Sequence, residues 1–444
     1  MNTATATITG RPAQAATAAV LPTRQALVRS TYAVILAGGR GTRLAPLSER
    51  CAKPALPFAG HSRIIDFALS NCVNSGIRRI GVLTQYKAQR LIRHVIQGWS
   101  FLDRGLDERV DVVPAQQQHD EGWYSGTADA VFQNLDLVRE SGAELVIVLA
   151  GDHVYRMDYG PMLAEHVRRR AHATVACIDV PLRDACAFGV VRTDADGVAI
   201  GFEEKPACPR PMPGRADAAC VSMGVYVFDA AFLRRMLERD ALDPTSRHDF
   251  GRDILPAAIA CARVCAYDFG AGTRRYWRDV GTLDAYWDAH MDLLRGDAGF
   301  DPFDPAWPVH GAPQQLAPAR VESGPGGIEA SIADALLAAG CAVRGARVCR
   351  SVLYPGVRVG PGSVIEDAVL LPGAVVGADA IVRRAIVDEG AVLHDGARVG
   401  VASAEDRARY VVTGRGLVVV MAAMLQATAA PGAQATLRHP ASEV

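Results

Sequence analysis

Through the first two thirds of the chain, mostly apolar residues come in short unbroken runs. These are Ala33–Leu36, Ile80–Thr84, Val110–Val113, Leu145–Ala150, Thr174–Val180 and Val221–Phe228. Runs of this length, rich in branched residues and bounded by turn formers, predict strands buried on both faces. Between them the spacing becomes helical. Leu91, Ile92, Val95 and Ile96 form one predicted apolar face that stops at Gly98, and a second helix is predicted from Thr127 to Val138. Asp194-Ala-Asp-Gly197 reads as a hairpin turn joining two short strands. Strands alternating with helices from Tyr32 to about Arg295 predict a layered α/β domain.

Beyond that point the texture changes. Six prolines between Gly299 and Gly327 (Pro302, Pro305, Pro308, Pro313, Pro318 and Pro325) cannot continue a helix or a central strand, so this segment is a linker or an extended wrapping arm. After it, Leu353 and Val359, then Val364, Leu370, Val376 and Val382, then Val387, Leu393 and Val399 recur about every six residues with turn glycines between them. A period of six suits a parallel β-helix, each flat face giving one inward apolar residue per repeat, better than a Gly-rich β-sandwich. The expected organisation is a disordered extension (1–30), an α/β domain (31–298), a Pro/Gly-rich linker (299–327), a β-helix domain (328–428) and a C-terminal tail (429–444).

With 444 residues the chain has room for two or three cores. Half the residues are hydrophobic, and 47 Lys and Arg nearly balance 48 Asp and Glu, which gives no reason to expect nucleic acid or an anionic membrane as partner. No apolar run approaches the roughly 18 residues of a spanning helix. The ten cysteines lack paired CxxC spacing, so reduced thiols in a cytoplasmic protein are expected rather than a metal or disulfide framework. Residues 1–30 are rich in Ala and Thr, with Arg11, Arg24 and Arg29 and no acid. That composition reads as a disordered extension, and a transit peptide would share it.

The chemistry begins where the first strand ends. Val34-Ile-Leu-Ala-Gly-Gly-Arg-Gly-Thr-Arg-Leu44, followed by Lys53-Pro54, turns a buried strand into a glycine-rich loop with two arginines. Glycines let backbone amides approach an anion and guanidinium forks bind phosphate oxygens, so the loop suits a polyphosphate. It is not a Walker loop, and Leu44 stands where a dinucleotide fingerprint needs its third glycine. Asp152 follows the buried strand Leu145–Ala150, at the sheet edge where α/β ligands collect, and Asp279 ends another short apolar run. Two carboxylates with phosphate oxygens and water make a typical Mg²⁺ site. Lys205 beside Glu204, Ser222, and the aromatic Tyr124 are further polar candidates. No Ser-His-Asp or Cys-His arrangement presents a protein nucleophile.

These segments together resemble the ADP-glucose pyrophosphorylase (glucose-1-phosphate adenylyltransferase) family of bacterial glycogen synthesis. The resemblance is carried by LAGGRGTRL, AKPA, RIIDFALSNCVNSGIRRIGVLTQY, GWSF, PAQQ, GTADAV, LAGDHVY, AFGVV, EEKP, SMGVYVFD and YWRDVGTLDAYW, in the family's order from about Ala33 to Leu425. It implies a Rossmann-like nucleotidyltransferase domain followed by a left-handed parallel β-helix, assembled as an allosteric homotetramer. It further implies that Gly38, Gly39, Gly41, Thr42, Arg43 and Lys53 hold the ATP phosphates, with Tyr124 near the nucleotide. Gly189, Glu204, Lys205, Ser222 and Tyr124 would receive glucose 1-phosphate. Asp152 and Asp279 would ligate Mg²⁺. Arg43, Lys53, Asp152 and Asp279 form the expected catalytic set.

The chain departs from the family at Arg50-Cys51, where relatives commonly have Lys-Arg, and at Asp334-Ala335-Leu336, where many have Asn-Ser-Leu. Both regions serve effector control, which leaves the effector open among sugar phosphates, pyruvate and nucleotides such as AMP, with Arg50, Arg63, Arg383 and Arg384 as candidate contacts. Three other readings compete. A transferase using UTP or dTTP would share the loop, and a non-catalytic regulatory subunit would bind nucleotide without turnover. A hexapeptide acyltransferase would need a catalytic histidine on the coils, where His394 is the only one between Leu353 and Val399.

Overall fold

The computed structural model describes residues 22–39, 41–116, 123–270, 276–296 and 299–427. All six apolar runs are strands of one nine-stranded sheet: β1 (Thr31–Ala37), β2 (Arg79–Thr84), β3 (Arg109–Pro114), β4 (Leu145–Ala150), β5 (Ala173–Pro181), β6 (Gly189–Thr193), β7 (Ala199–Glu204), β8 (Ala218–Asp229) and β9 (Val264–Asp268). Their order is β7-β6-β8-β4-β1-β2-β3, with β5 on β8 and β9 on β5. The pairs β4-β1, β1-β2 and β2-β3 are parallel, and β8 runs antiparallel to β4. β1 and β4 are buried nearly throughout because helices cover both faces, which is why their sequences are unbroken apolar runs. The hairpin at Asp194–Gly197 joins β6 to β7, its turn closed by Gly197 N donating to Asp194 O.

Several expectations change in detail. Residues 1–21 and 429–444 lie outside the described residues, but Arg24–Arg29, within the extension expected to be disordered, forms a short helix α1. Thr23 caps it, Leu27 and Val28 are buried, and Arg24 pairs with Asp158 at 2.7 Å. Helix α2 (Ile64–Ser75) lies almost wholly buried and stops at Gly76. Helix α3 (Gln89–Gly98) buries Leu91 and Val95, yet Ile96 is 61 % exposed and His94 takes the remaining inward position. The helix expected from Thr127 to Val138 breaks into α4 (Thr127–Phe132) and α5 (Leu135–Glu140). The break falls at Asn134, whose Nδ2 donates to Ala130 O and to Tyr124 Oη.

The proline-rich segment wraps rather than dangles. Trp307 Nε1 donates to Asn71 Oδ1, Asn74 Nδ2 to Pro308 O and His310 N to Ser70 Oγ, all on α2. It is also shorter than expected, because Arg320–Glu322 already pairs with Ala342–Arg344 as a strand of the next domain.

That domain is a parallel β-helix of three sheets. Registers such as Val359↔Val376↔Leu393, Ile365↔Val382↔Val399 and Leu353↔Leu370↔Val387 give a 17-residue coil. Ile365, not Val364, points inward, so each coil takes two steps of six residues and one of five. The short step turns at Asp334, Arg350, Asp367 and Arg384, all with positive φ. A left-handed residue supplies the sharp corner that one missing residue demands. Helix α6 (Leu283–Asp292) packs against the coils: Trp287 Nε1 donates to Asp367 O, and Thr413 Oγ1 donates to Asp284 Oδ1. Among the described residues, no helix is long and apolar enough to cross a membrane.

Candidate functional site

Strand order reverses at β1, whose neighbours are β2 and β4, and the chemistry gathers at the carboxyl ends of these strands. The glycine loop leaves β1 there. Gly41 has φ of 59°, and a β-carbon on it would stand 3.1 Å from Lys53 Cβ, so glycine brings the loop backbone against the lysine. Thr42–Leu44 then forms one 3₁₀ turn, and Ser48 Oγ donates to Gly41 O at 2.8 Å.

Asp152 follows β4 directly. Asp279 comes from 127 residues further along, delivered by a two-stranded antiparallel pairing of His153–Tyr155 with Trp277–Asp279 that sets Asp279 opposite His153. Lys53, only 4 % exposed, lies between the carboxylates: its Nζ is 2.7 Å from Asp279 Oδ1 and 2.9 Å from Asp152 Oδ2. Arg43 Nη2 lies 3.7 Å from Asp279 Oδ2.

Each charge answers the others. Burial disfavours the charge on both aspartates, but the Lys53 ammonium outweighs it and holds both carboxyls below the ordinary carboxylate range. Burial likewise works against the Lys53 ammonium, and the paired carboxylates reverse that and raise its pKa. All three groups are charged at neutral pH.

The loop opens onto a cleft of about 890 Å³, a size that suits a nucleotide with part of a sugar. Gly38, Gly39, Gly41, Lys53, Tyr124, Asp152 and Glu204 line it together. Tyr124 is half-buried, which raises its hydroxyl pKa, and its carbonyl accepts from Gln85 Nε2 at 3.1 Å. Lys205, with φ of 49°, stands at the end of β7 with Nζ 3.2 Å from Glu204 Oε1. Gly189 pairs with Glu204, and a β-carbon there would stand 2.3 Å from Phe202 and 2.9 Å from Glu204 Oε2. Ser222 lies behind the cleft wall. It is buried, accepts from Gly224 N at 3.1 Å and donates to Tyr226 Oη at 3.3 Å, bracing a bulge in β8.

The four candidate effector arginines do not share one pocket. Arg63 lines a cavity of about 330 Å³ at the seam with the β-helix, between Pro57, Arg90 and Tyr354. Arg50 pairs with Asp388 at 3.3 Å and Arg383 with Glu366 at 3.3 Å, while Arg384 stacks 4.5 Å above the Trp287 ring.

Residue-by-residue reading missed Gln85, His153, Asp249 and Gly251. Gln85 follows β2 at the same sheet edge, and His153 adjoins Asp152, so their positions at strand ends were available signals. Asp249 and Gly251 reach the cleft through tertiary packing: Thr127 Oγ1 donates to Asp249 Oδ2, and Gly251 leaves room for Glu204. No local pattern announces that.

Compared with known families, residues 32–296 match the nucleotidyl transferase family and residues 317–420 match a GlmU-like C-terminal hexapeptide family. Among curated proteins, the glucose-1-phosphate adenylyltransferase of Methylobacillus flagellatus is 50 % identical over 405 residues, covering 90 % of this chain and 95 % of the relative. That of Methylococcus capsulatus is 49 % identical over 89 % and 94 %, and that of Dechloromonas aromatica 48 % identical over 91 % and 94 %.

Proposed function

This chain belongs to the glucose-1-phosphate adenylyltransferase family of nucleotidyl transferases, and from that premise we propose that it makes ADP-glucose and pyrophosphate from ATP and α-D-glucose 1-phosphate, the regulated entry step of glycogen synthesis. One observation carries the site assignment: Lys53 bridges Asp152 and Asp279 at the mouth of the cleft, against the glycine loop.

The nucleophile is a phosphate oxygen of the sugar, largely dianionic near neutral pH with a second pKa of about 6, so the site needs no general base. It attacks the α-phosphorus of ATP in line, and pyrophosphate departs. The barrier lies in bringing two polyanions together and stabilising the leaving group. Backbone amides at Gly38, Gly39 and Gly41 and the side chains of Thr42, Arg43 and Lys53 serve the triphosphate. Tyr124 forms a wall for nucleotide and sugar. Gly189, Glu204 and Lys205 receive glucose 1-phosphate, Glu204 as an acceptor for sugar hydroxyls and Lys205 as a cation for its phosphate. Ser222 supports that wall through the β8 bulge.

The nucleotidyl transferase family works with a divalent metal. The donors here fit one: two ionised carboxylates converge, and Asp152 keeps 36 % of its side chain exposed in the cleft. We assign Mg²⁺ to Asp152 and Asp279, where it would neutralise phosphate charge and orient the leaving group. For regulation, Arg63 and Arg50 at the domain seam are the better placed of the four arginines for a phosphorylated or carboxylate effector. A homotetramer in the cytoplasm is the assembly in keeping with the family.

The test is direct. Purified protein mixed with ATP, glucose 1-phosphate and Mg²⁺ releases pyrophosphate, with UTP and dTTP far poorer donors. Absence of pyrophosphate across sugar phosphates, pyruvate and AMP as effectors would sink the proposal.

A further inference from the structure

Building on the two-aspartate metal site just assigned, we propose that His153 is its third protein donor, making the seat a mixed oxygen–nitrogen site that takes Mn²⁺-class ions as well as Mg²⁺. His153 Nδ1 lies 3.1 Å from the carbonyl oxygen of Met223. A carbonyl only accepts, so Nδ1 is the donor there, which leaves Nε2 as the ring nitrogen turned toward the carboxylates. Nε2 lies 3.6 Å from Asp152 Oδ1 and 3.9 Å from Asp279 Oδ1. Three potential donors, one from each residue, thus turn toward a common point where a cation can sit. Ligand atoms from the three residues lie within 4.8 Å of one another. Donors sharing an ion at about 2.1 Å stand about 3.0–3.4 Å apart, so a contraction of about 0.2–0.9 Å brings Nε2 to ligand spacing from both oxygens, and at most about 1.4–1.8 Å is needed anywhere in the set.

The surroundings match what a metal-binding imidazole requires. Such rings hand their other N–H to a carbonyl or carboxylate, which fixes tautomer and orientation. Here the carbonyl is delivered by the bulge in β8, where the register with β5 shifts between Ser222 and Tyr226. Gly224, with φ of 70°, makes the bulge possible, and a β-carbon on it would stand 3.0 Å from Ala150 and 3.3 Å from the His153 ring. The Trp277 ring meets the imidazole edge-on at 5.1 Å and restrains it further. Lys53 shares Asp279 Oδ1 with the proposed ion, at 2.7 Å, but not the Asp152 oxygen. It holds Asp152 through Oδ2, leaving Oδ1 for the ion. A nitrogen donor shifts preference from Mg²⁺ toward Mn²⁺ and Co²⁺, whereas a purely carboxylate seat would not.

Full-length protein free of nucleotide is titrated with Mn²⁺ alone, bound metal being counted from loss of the free-ion EPR signal and its donors read by pulsed EPR. We expect a directly bound imidazole nitrogen in the wild type. It is lost in His153→Gln, with at least about a tenfold fall in Mn²⁺ affinity and a smaller fall for Mg²⁺. Gly224→Ala, which keeps all three donors but displaces the Met223 carbonyl, weakens the nitrogen coupling. A bound Mn²⁺ with oxygen donors alone, or no Mn²⁺ uptake by the wild type, overturns the proposal, and the wild-type spectrum decides this even if a variant misfolds. Asp152→Asn separates the two levels. If it abolishes Mn²⁺ binding while His153→Gln retains it in full, only the third donor fails; if it changes neither binding nor pyrophosphate release, the two-aspartate seat fails as well.

Discussion

Replacing Lys53 by Met removes the one cation that bridges the two carboxylates while keeping the length of the side chain. Breaking a buried ion pair from one side costs roughly 3–5 kcal/mol, because a charge is left desolvated without a partner. Here Asp279 is 15 % exposed but Asp152 is 36 % exposed, so water reaches one of the two and the cost should be discounted to about 2 kcal/mol. For an α/β domain of this size that is a fall of about 4 °C in melting temperature at pH 7.5 without metal. The sign of the pH dependence is fixed by the direction of the shifts. Both aspartates have folded-state pKa values below the usual carboxylate range, so the stabilisation is present above about pH 4 and is lost as pH falls through the folded values. The gap between wild type and variant is therefore full from pH 7.5 down to about pH 4 and narrows only as pH falls below that. Divalent metal supplies the decisive arm. With the ammonium gone, two unneutralised carboxylates hold a cation more tightly, and an ion at a hundred times its Kd restores about 2.7 kcal/mol. Thermal melts of both proteins with and without Mg²⁺ should show the larger metal-dependent rise in Lys53→Met. Turnover stays down by about 10²–10³ even when stability is restored, since a phosphate-directed charge has been removed. Equal melting temperatures without metal at pH 7.5, or a gap that does not change with pH, would refute the reasoning.

Three further perturbations test other parts of the structure. In Gly251→Ala the new β-carbon stands 2.5 Å from Glu204 Oε2 and swings that carboxylate aside; losing a charge-assisted hydrogen bond raises KM for glucose 1-phosphate about tenfold while KM for ATP stays put, as steady-state kinetics with each substrate varied would show. Trp287→Ala removes a buried ring that donates to Asp367 O and carries Arg384, costing about 3–5 kcal/mol and lowering the melting temperature, while substrate KM values measured below the transition remain near wild type. Burial depresses the His290 pKa to about 4, so its neutral form contributes stability above pH 6.5 that is lost as pH falls from 6.5 toward 4, on the order of 3 kcal/mol in all. Melts at pH 7.5 and 4.5 should show a smaller acid loss in His290→Gln than in the wild type, and equal losses would exclude His290 as the source.

The sequence is most readable where one physical cause dominates. β1 and β4 are apolar because both faces are covered, and the loop after β1 is glycine-rich because backbone must approach phosphate, so strand and phosphate site are legible together. Asp152 is legible for the same reason, being the first acid beyond a buried strand. What escapes is whatever depends on two distant segments at once. Ile96 looks like a core residue by period, but the surface it would need is not there, and His94 fills the inward place. Val364 fits a strict period of six. The coil instead has 17 residues, and the five-residue step needs a left-handed corner at Asp367 or Arg384 that no local hydrophobic pattern encodes. Arg384, suspected as an effector contact from its charge, has a packing role at such a corner, over Trp287. His153 sits in plain view beside Asp152, yet its value comes from a bulge 70 residues away that turns the Met223 carbonyl toward it.

The same dependence on distant segments explains why the two domains cannot be treated as separate machines. Asp279 ends the strand Trp277–Asp279, and α6 starts at Leu283, capped by Thr282 Oγ1 accepting from Ala285 N. One face of that helix belongs to the β-helix. Asp284 accepts from Thr413 at 2.9 Å, Trp287 donates to Asp367 O at 2.9 Å, Asp288 accepts from Arg415 at 2.6 Å, and His290 meets Tyr354 Oη at 2.7 Å. Positions 284, 287 and 288 share a face at helical spacing, and His290 lies one turn on from Trp287, so the docking runs along the length of the helix. Only Val280, Gly281 and Thr282 separate this docked helix from the carboxylate that pairs with Lys53 and faces His153. A shift of the coils must either break that docking or carry α6 with it, and a carried α6 moves Asp279 relative to Asp152, which is anchored independently at the end of β4. The spacing between two carboxylates is thus set by two different cores, and the cation between them senses both.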